Sequence, residues 1–202
     1  MNIKKYSTNK IGTNCYLVEH LGKCIVIDPC VKYEDIFQDE SLELVAVFIT
    51  HGHFDHIDQL HTYLNKGIKF YMHMNAYNKL LDPNKNVSAF TGFPIFYNLD
   101  KEEVIFVEDK EEINLIGKTI EIMYTPGHTD CSIMLIIDDS IFSGDMVFRG
   151  SIGRYDLYSA SYLSIMESIE KIKQLTKNYT IYPGHGNKTS LEFERQNNPY
   201  FR

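Results

Sequence analysis

Apolar positions along the chain fall into two recurring patterns, short runs and helical stripes. Thr13 to Glu19 and Lys23 to Asp28 are apolar-rich segments separated by a short turn at His20 to Gly22, the spacing of a two-stranded hairpin. Asp28-Pro29 stops the second segment, because proline cannot donate to a ladder. A short helical segment is predicted around Tyr33 to Gln38. Leu44 to Ile49 is uninterrupted and apolar, the pattern of a strand buried on both faces. Asp55 to Lys66 carries Ile57, Leu60 and Leu64 at helical spacing and ends at Lys66-Gly67, which predicts a helix. Ile68 to Met72 reads as a strand and Asn75 to Leu81 as a short helix. Asp82 to Tyr97, with two prolines and interspersed asparagines, reads as a long exposed loop. Val104 to Val107, Glu112 to Leu115, Lys118 to Tyr124, Ser132 to Ile137 and Ser140 to Phe142 form a second series of strands. Tyr162, Ile165, Met166, Ile169 and Ile172 mark the core stripe of an amphipathic helix over Tyr162 to Leu175. Tyr179 to Tyr182 is a last short strand, and Thr189 to Gln196 a terminal helix.

Composition narrows the function classes. A chain of 202 residues buries one sizeable core, so a single domain is expected. With 44% apolar and 23% charged residues it is ordinary globular material. The formal net charge of −7 and pI near 5.6 argue against a broad surface for nucleic acid or anionic membrane. The longest aliphatic or aromatic runs reach about half a dozen residues, against roughly 20 for a membrane span, and Met1 to Ser7 lacks the apolar region of a signal peptide. A cytoplasmic protein is expected. Cys15, Cys24, Cys30 and Cys131 form no C-x-x-C pair and are read as free thiols.

The chemistry concentrates in Thr50-His51-Gly52-His53-Phe54-Asp55-His56-Ile57. Here three imidazoles and a carboxylate sit in six residues directly after an apolar strand. Such a cluster at a strand-to-helix turn points to metal. His51 and His53 flank a glycine, Asp55 and His56 open the following helix, and the two pairs can face two adjacent ions. The H-x-H-x-D-H spacing differs from H-E-x-x-H, which places two histidines one helical turn apart. His128, Asp145 and His185 each follow a strand and stand beside glycine or proline, where backbone can approach an ion. His20, His61 and His73 lack such a setting and are read as non-ligands.

These segments, with Thr13-Asn14-Cys15-Tyr16, Ile27-Asp28-Pro29, the run Ser143 to Asp156 and the tail Tyr182 to Tyr200, resemble the metallo-β-lactamase superfamily and its small glyoxalase II-like hydrolases. The resemblance spans nearly the whole chain. It implies an α/β fold, a four-layer αββα sandwich with metals in a groove at one edge. It further implies one domain over residues 1–202, without the additional C-terminal helical domain of full-length glyoxalase II. Carried over by position, His51, His53 and His128 hold one metal, Asp55, His56 and His185 the second, and Asp145 bridges them. The imidazole and carboxylate set suits Zn²⁺ best and accommodates Fe or Mn. Cys131 departs from the glycine common in the T-P-G-H-T-x-G-S pattern. It is read as a packed thiol that could perturb the orientation of His128.

Two cations lower the pKa of a bridging water and polarise a carbonyl, so the implied reaction is attack of a metal-bridging hydroxide on an acyl carbon, with Asp55 orienting the water. A thiolate leaves with little acid assistance, which favours an acyl thioester such as S-lactoylglutathione as the small-molecule substrate. A mononuclear-iron persulfide dioxygenase, and lactone or phosphodiester hydrolysis, are the alternatives on the same fold. A non-catalytic metal-binding module is disfavoured by the complete ligand set. Arg154 lies in Gly150-Ser151-Ile152-Gly153-Arg154, a loop expected to fold back toward the groove. The resemblance implies that it binds a carboxylate of the thiol carrier; pairing with Asp156 is the competing reading.

Overall fold

The apolar runs pair into two six-stranded sheets in the computed structural model, which describes residues 1–7, 11–38 and 42–202. The first sheet follows chain order: β1 (Asn2–Ser7), β2 (Asn14–His20), β3 (Lys23–Ile27), β4 (Glu43–Phe48), β5 (Lys69–Met72) and β6 (Val104–Phe106). β1 to β3 pair antiparallel and β3 to β6 parallel. Leu21 and Gly22 turn the β2–β3 hairpin with φ of 53° and 76°, the left-handed pair that a two-residue turn uses to match strand twist. The second sheet begins with β7 (Glu112–Leu115), β8 (Lys118–Tyr124), β9 (Ile133–Ile137) and β10 (Ser140–Gly144). A small hairpin, β11 (Val147–Phe148) with β12 (Ser151–Ile152), interrupts it before β13 (Thr180–Pro183) and β14 (Thr189–Ser190) complete the order β14-β13-β10-β9-β8-β7.

Period-two alternation decides which layer each side chain enters. In β3, Ile25 and Ile27 face the second sheet and pack with Phe48 against Ile120, Ile122, Leu135 and Phe142. Val26, on the opposite face, joins Val47, Ile49, Phe70 and Met72 beneath Leu60, Tyr63, Ala76 and Leu80. These come from a thin helical layer: α1 (Tyr33–Ile36), α2 (Phe54–Ile57), a 3-10 turn (Leu60–Tyr63) and α3 (Met74–Leu80). The outer face of the second sheet, with Met134, Ile136, Ile141 and Ile181, packs on α4 (Tyr162–Lys173) and α5 (Leu191–Asn197) through Ile165, Ile169, Ile172 and Leu191. Three apolar interfaces between four layers make the αββα sandwich, as the resemblance implies. Among the described residues no helix is long and apolar enough to cross a membrane.

The elements differ from the sequence reading in four places. β1 escapes periodicity because it is a charged edge strand, paired only with β2 and mostly exposed. The helix expected over Asp55 to Lys66 breaks after α2: the Gln59 amide donates to Pro29 O (3.1 Å), and the resulting 3-10 turn buries both Leu60 and Tyr63. Thr189 and Ser190 extend the sheet, so the last helix starts at Leu191, with the Ser190 hydroxyl accepting from the Phe193 amide. The 82–97 segment is exposed mainly over residues 89–94, and residues 86–88 are buried. Its base is pinned by buried Asn86, which donates to Lys79 O (3.1 Å) and Ile95 O (3.0 Å) while its carbonyl accepts from the Phe54 amide (2.9 Å).

Candidate metal centre

The carboxyl ends of β4, β10 and β13 lie at one edge of the sandwich, and the β8–β9 loop reaches the same edge. The turn after β4 is set by Asp28, at the end of the parallel neighbour β3. Its carboxylate accepts from the Thr50 amide and the Thr50 hydroxyl, both at 2.8 Å. His51 and His53 thereby leave the strand inward, and His53 stands at the N-cap position of α2, whose first turn carries Asp55 and His56. Gly52 is required for space: a Cβ there would lie 2.7 Å from the Cβ of Lys79 on α3. Gly184 serves His185 in the same way, since a Cβ would come within 2.2 Å of Asp145 Oδ1.

All seven residues singled out as ligands converge. His51, His53 and His128 form one group, His51, His56 and Asp145 a second, and Asp55, His56 and His185 a third, the donor atoms within each group lying within 4.8 Å of one another. His53 Nδ1 is 2.9 Å from His128 Nε2, and His185 Nε2 is 3.1 Å from Asp55 Oδ2. Asp145 stands between them, with Oδ1 3.2 Å from His56 Nε2 and Oδ2 3.6 Å from His128 Nε2 and 3.5 Å from His185 Nε2.

The outer nitrogens are already employed. His56 Nδ1 donates to Asp28 Oδ2 (2.8 Å), His128 Nδ1 to the Arg154 carbonyl (2.8 Å), and His51 Nδ1 lies 3.1 Å from Thr50 Oγ1. This network turns Nε2 of each ring toward the centre, the usual arrangement of a metal-ligating histidine. Asp55 is oriented by the Thr13 hydroxyl, which donates to its Oδ2 (2.8 Å).

Burial drives the imidazoles of His51 and His53 down, helped by their neighbouring rings, with His53 reaching about 3; burial also lowers His128. These three are neutral at pH 7. Burial alone would depress His56 and His185 too, but carboxylates outweigh it. Asp145, Asp55 and Asp28 hold His56 well above its ordinary value, and hydrogen bonds to Asp145 and Asp55 lift His185 to about 10. Asp145 and Asp55, which burial would raise, are pulled down by the same histidines, Asp55 to about 2. Protons on His56 and His185 thus balance the carboxylates, and an entering cation has to displace them.

The donor set fits divalent cations. His51 Nε2, His53 Nε2, His56 Nε2 and Asp145 Oδ1 are buried without a hydrogen-bond partner, and buried polar atoms left in this way cost about 1–3 kcal/mol each. His51 Nε2 and His53 Nε2 are left with nothing but an ion to bind, and at the His56 Nε2–Asp145 Oδ1 contact, 3.2 Å apart, a cation would take the place of the proton.

The other candidates lie elsewhere. His20 Nδ1 sits 2.9 Å from Ile116 O, His61 stacks on Tyr97, and His73 caps α3 by accepting from the Asn75 amide (3.1 Å). Cys131 is fully buried, its Sγ 3.1 Å from Thr129 Oγ1, and belongs to none of the three groups. The Arg154 guanidinium does not stand free over the groove: Nε and a terminal nitrogen bind the two oxygens of Asp156 at 2.7 and 2.8 Å.

Asp28 was a residue whose role sequence reasoning missed, having served there as a strand stop and as part of the resembling segment Ile27-Asp28-Pro29 with no function assigned. Its signal was an acid immediately before proline, ending the strand that pairs with the histidine strand. Lys79 was missed as well. Buried on α3, it pairs with Asp130 and ties that helix to the loop carrying His128.

Comparison with known proteins bears on the family and the fold. Residues 8–185 match the family described as Metallo-beta-lactamase superfamily. "Probable metallo-hydrolase YqgX" of Bacillus subtilis is 30% identical, the match covering 99% of this chain and 97% of that protein. The hydroxyacylglutathione hydrolase of Francisella tularensis subsp. holarctica is 32% identical over 92% of this chain and 68% of its own length. Among solved structures, BLEG-1 B3 metallo-beta-lactamase superposes with a TM-score of 0.90 at 29% identity, covering 99% of both chains. TTHA1623 in a di-iron-bound form superposes with a TM-score of 0.84 at 27% identity, covering 98% of this chain and 99% of its own.

Proposed function

The chain belongs to the metallo-beta-lactamase superfamily, and from that premise we propose that it is a dinuclear metal-dependent hydrolase cleaving an acyl thioester. The observation that carries the reading is the convergence of seven imidazole and carboxylate side chains, four of whose buried atoms lack any other partner. In this reading His51, His53 and His128 would hold one ion and Asp55, His56 and His185 the other, with Asp145 placed to serve both. The donors are nitrogen and oxygen only, a set that suits Zn²⁺ and equally Fe, and the di-iron form of TTHA1623 keeps both open.

When bound, the ions supply Lewis acidity at the acyl carbonyl and a water acidic enough to attack near neutral pH. Asp55, fixed by Thr13 and ionised throughout the neutral range, accepts a hydrogen bond from that water and aims it. The role assigned to Asp55 is orientation of that water. Water adds its oxygen to the acyl carbon, the C–S bond breaks, and the carboxylic acid and thiol are released. Because a thiolate with a pKa of about 8.5 is a competent leaving group, no side-chain acid is needed. The 32% identity to a hydroxyacylglutathione hydrolase supports this substrate class.

A β-lactam is the second reading, supported by the likeness to BLEG-1. Its amine leaving group needs a proton. A single preparation tests both: metal content by elemental analysis, then turnover of S-lactoylglutathione, simpler thioesters and nitrocefin. About two ions per chain with thioester turnover well above nitrocefin turnover is expected. Nitrocefin preferred over every thioester would replace this reading by the second. One iron per chain with oxygen uptake would replace both by the dioxygenase.

A further inference from the structure

Beside the metal-ligand cluster lies a cavity of about 230 Å³ whose walls include Ile11, Phe54, Thr91, Phe93 and Ile95, with Asp55 among them. Asp55 also belongs to the cluster, its Oδ2 3.5 Å from His56 Nε2. The cavity therefore abuts the place where bond cleavage is assigned. We propose that it receives the acyl part of the substrate and that this part is neutral and apolar, a hydrocarbon chain or ring; the inference rests on the hydrolase reading above.

Three observations select this occupant. The first is the exposed apolar surface, which water penalises unless something covers it. Phe93, in the cavity wall, is 82% exposed. The second is composition. Apart from Asp55 and Asp58 the lining is Ile11, Phe54, Thr91, Phe93 and Ile95, so the walls offer an occupant mainly hydrocarbon contact. The third is preorganisation. The segment bearing Phe93 is held by its own hydrogen bonds: the Phe93 amide to Thr91 Oγ1 (3.1 Å), Thr91 Oγ1 to Ser88 O (2.8 Å) and the Ile95 amide to Ser88 Oγ (2.9 Å). A ring fixed in this way takes up a ligand without the entropic cost of ordering a loop.

The pocket then sets acyl specificity. A lactoyl group, short and hydroxylated, leaves it unfilled; butanoyl to octanoyl groups fill it progressively. Burial of each methylene favours binding by about fourfold, so kcat/KM rises along the series until the cavity is full.

The test uses the metal-loaded full chain with acetyl, butanoyl, hexanoyl and octanoyl thioesters of N-acetylcysteamine, and a neutral probe that is not hydrolysed, 2-octanone, followed by saturation-transfer NMR. Expected are a rise of about fourfold per methylene, its flattening in Phe93→Ser, and probe binding weakened roughly tenfold in that variant. Phe90→Ser, off the lining, retains the wild-type profile. Equal kcat/KM for all acyl lengths, with probe binding untouched by Phe93→Ser, overturns the pocket assignment and leaves the hydrolase reading standing. Phe93-dependent binding of 2-octanone without turnover of any thioester leaves the pocket and removes the thioesterase. A dimer that Phe93→Ser converts to monomer, with the acyl profile unchanged, assigns the face to a second copy and also overturns the proposal.

Discussion

Asp28→Asn isolates the contribution of a carboxylate that touches no expected ion. Its side chain accepts three hydrogen bonds at 2.8 Å, from the Thr50 amide, the Thr50 hydroxyl and His56 Nδ1. The amide is isosteric, yet only its oxygen accepts. With that oxygen kept on the Thr50 amide, the NH₂ group faces the Thr50 hydroxyl, which can rotate to accept, and His56 Nδ1, which can accept only by giving up its proton. His56 then carries its proton on Nε2, pointing into the centre where a lone pair is needed. The lost bond is charge-assisted and buried, worth about 1.5–3 kcal/mol. At 1.4 kcal/mol per decade this is roughly 10- to 150-fold in affinity, in line with the 10–100-fold typical of such outer partners. Competition against a chromophoric chelator resolves the two ions, and the apo protein's thermal midpoint separates misfolding from ligand misorientation. The weakened ion is expected to be the one assigned to His56, Asp55 and His185. Two ions bound within twofold of wild type, with the fold intact, would refute the argument that Asp28 sets the His56 tautomer.

Asp145→Ala is expected to lower occupancy at both positions and abolish hydrolysis, because this carboxylate faces histidines of both groups; His61→Ala should do neither, as elemental analysis and turnover on the same samples will show. His73 is held below its ordinary pKa first by burial, so below about pH 6.5 the unfolded chain binds a proton that the folded one resists. Its contribution to stability is therefore present above that pH and is lost as pH falls through the folded value. Urea midpoints of the apo protein at pH 7.5 and 5.5 should fall further in wild type than in His73→Asn, which keeps a capping oxygen and does not titrate. Arg154→Ala should raise KM for a glutathione thioester about tenfold or more with kcat little changed. The exposed Asp156 pair, screened by solvent, yields to a substrate carboxylate held by two charged bonds. Unchanged KM would remove Arg154 from substrate recognition.

Much of this was readable from the chain because burial on both faces leaves a plain mark. The uninterrupted run ending at Ile49 could only be an interior strand, and the dense histidine turn after it needed a reason to exist. Periodicity failed where a neighbour outcompeted it. Ile57, Leu60 and Leu64 kept helical spacing, but the Pro29 carbonyl took the amide of Gln59 and broke the ladder. Asp28 stayed hidden because its partners, Thr50 and His56, come from a strand and turn that only parallel pairing brings alongside. Phe90, Phe93 and Phe96 were read as part of an exposed loop, since a sequence does not show which of its apolar residues lines a cavity.

The two sheets contribute unequally placed halves of the centre. His51, His53, Asp55 and His56 hang from the first sheet, and His128, Asp145 and His185 from the second. Ions held between them, as proposed, would fasten the seam of the sandwich. Their binding adds RT ln(1 + [M]/Kd) only to the state in which the sheets are docked, about 4 kcal/mol at a thousandfold excess over Kd. Chelation then loosens the joint before it loosens either sheet. Amides flanking the seam, at Thr50 and Gly144, should lose hydrogen-exchange protection ahead of those in β3 and β9, and metal supply would govern how long the folded chain survives a protease.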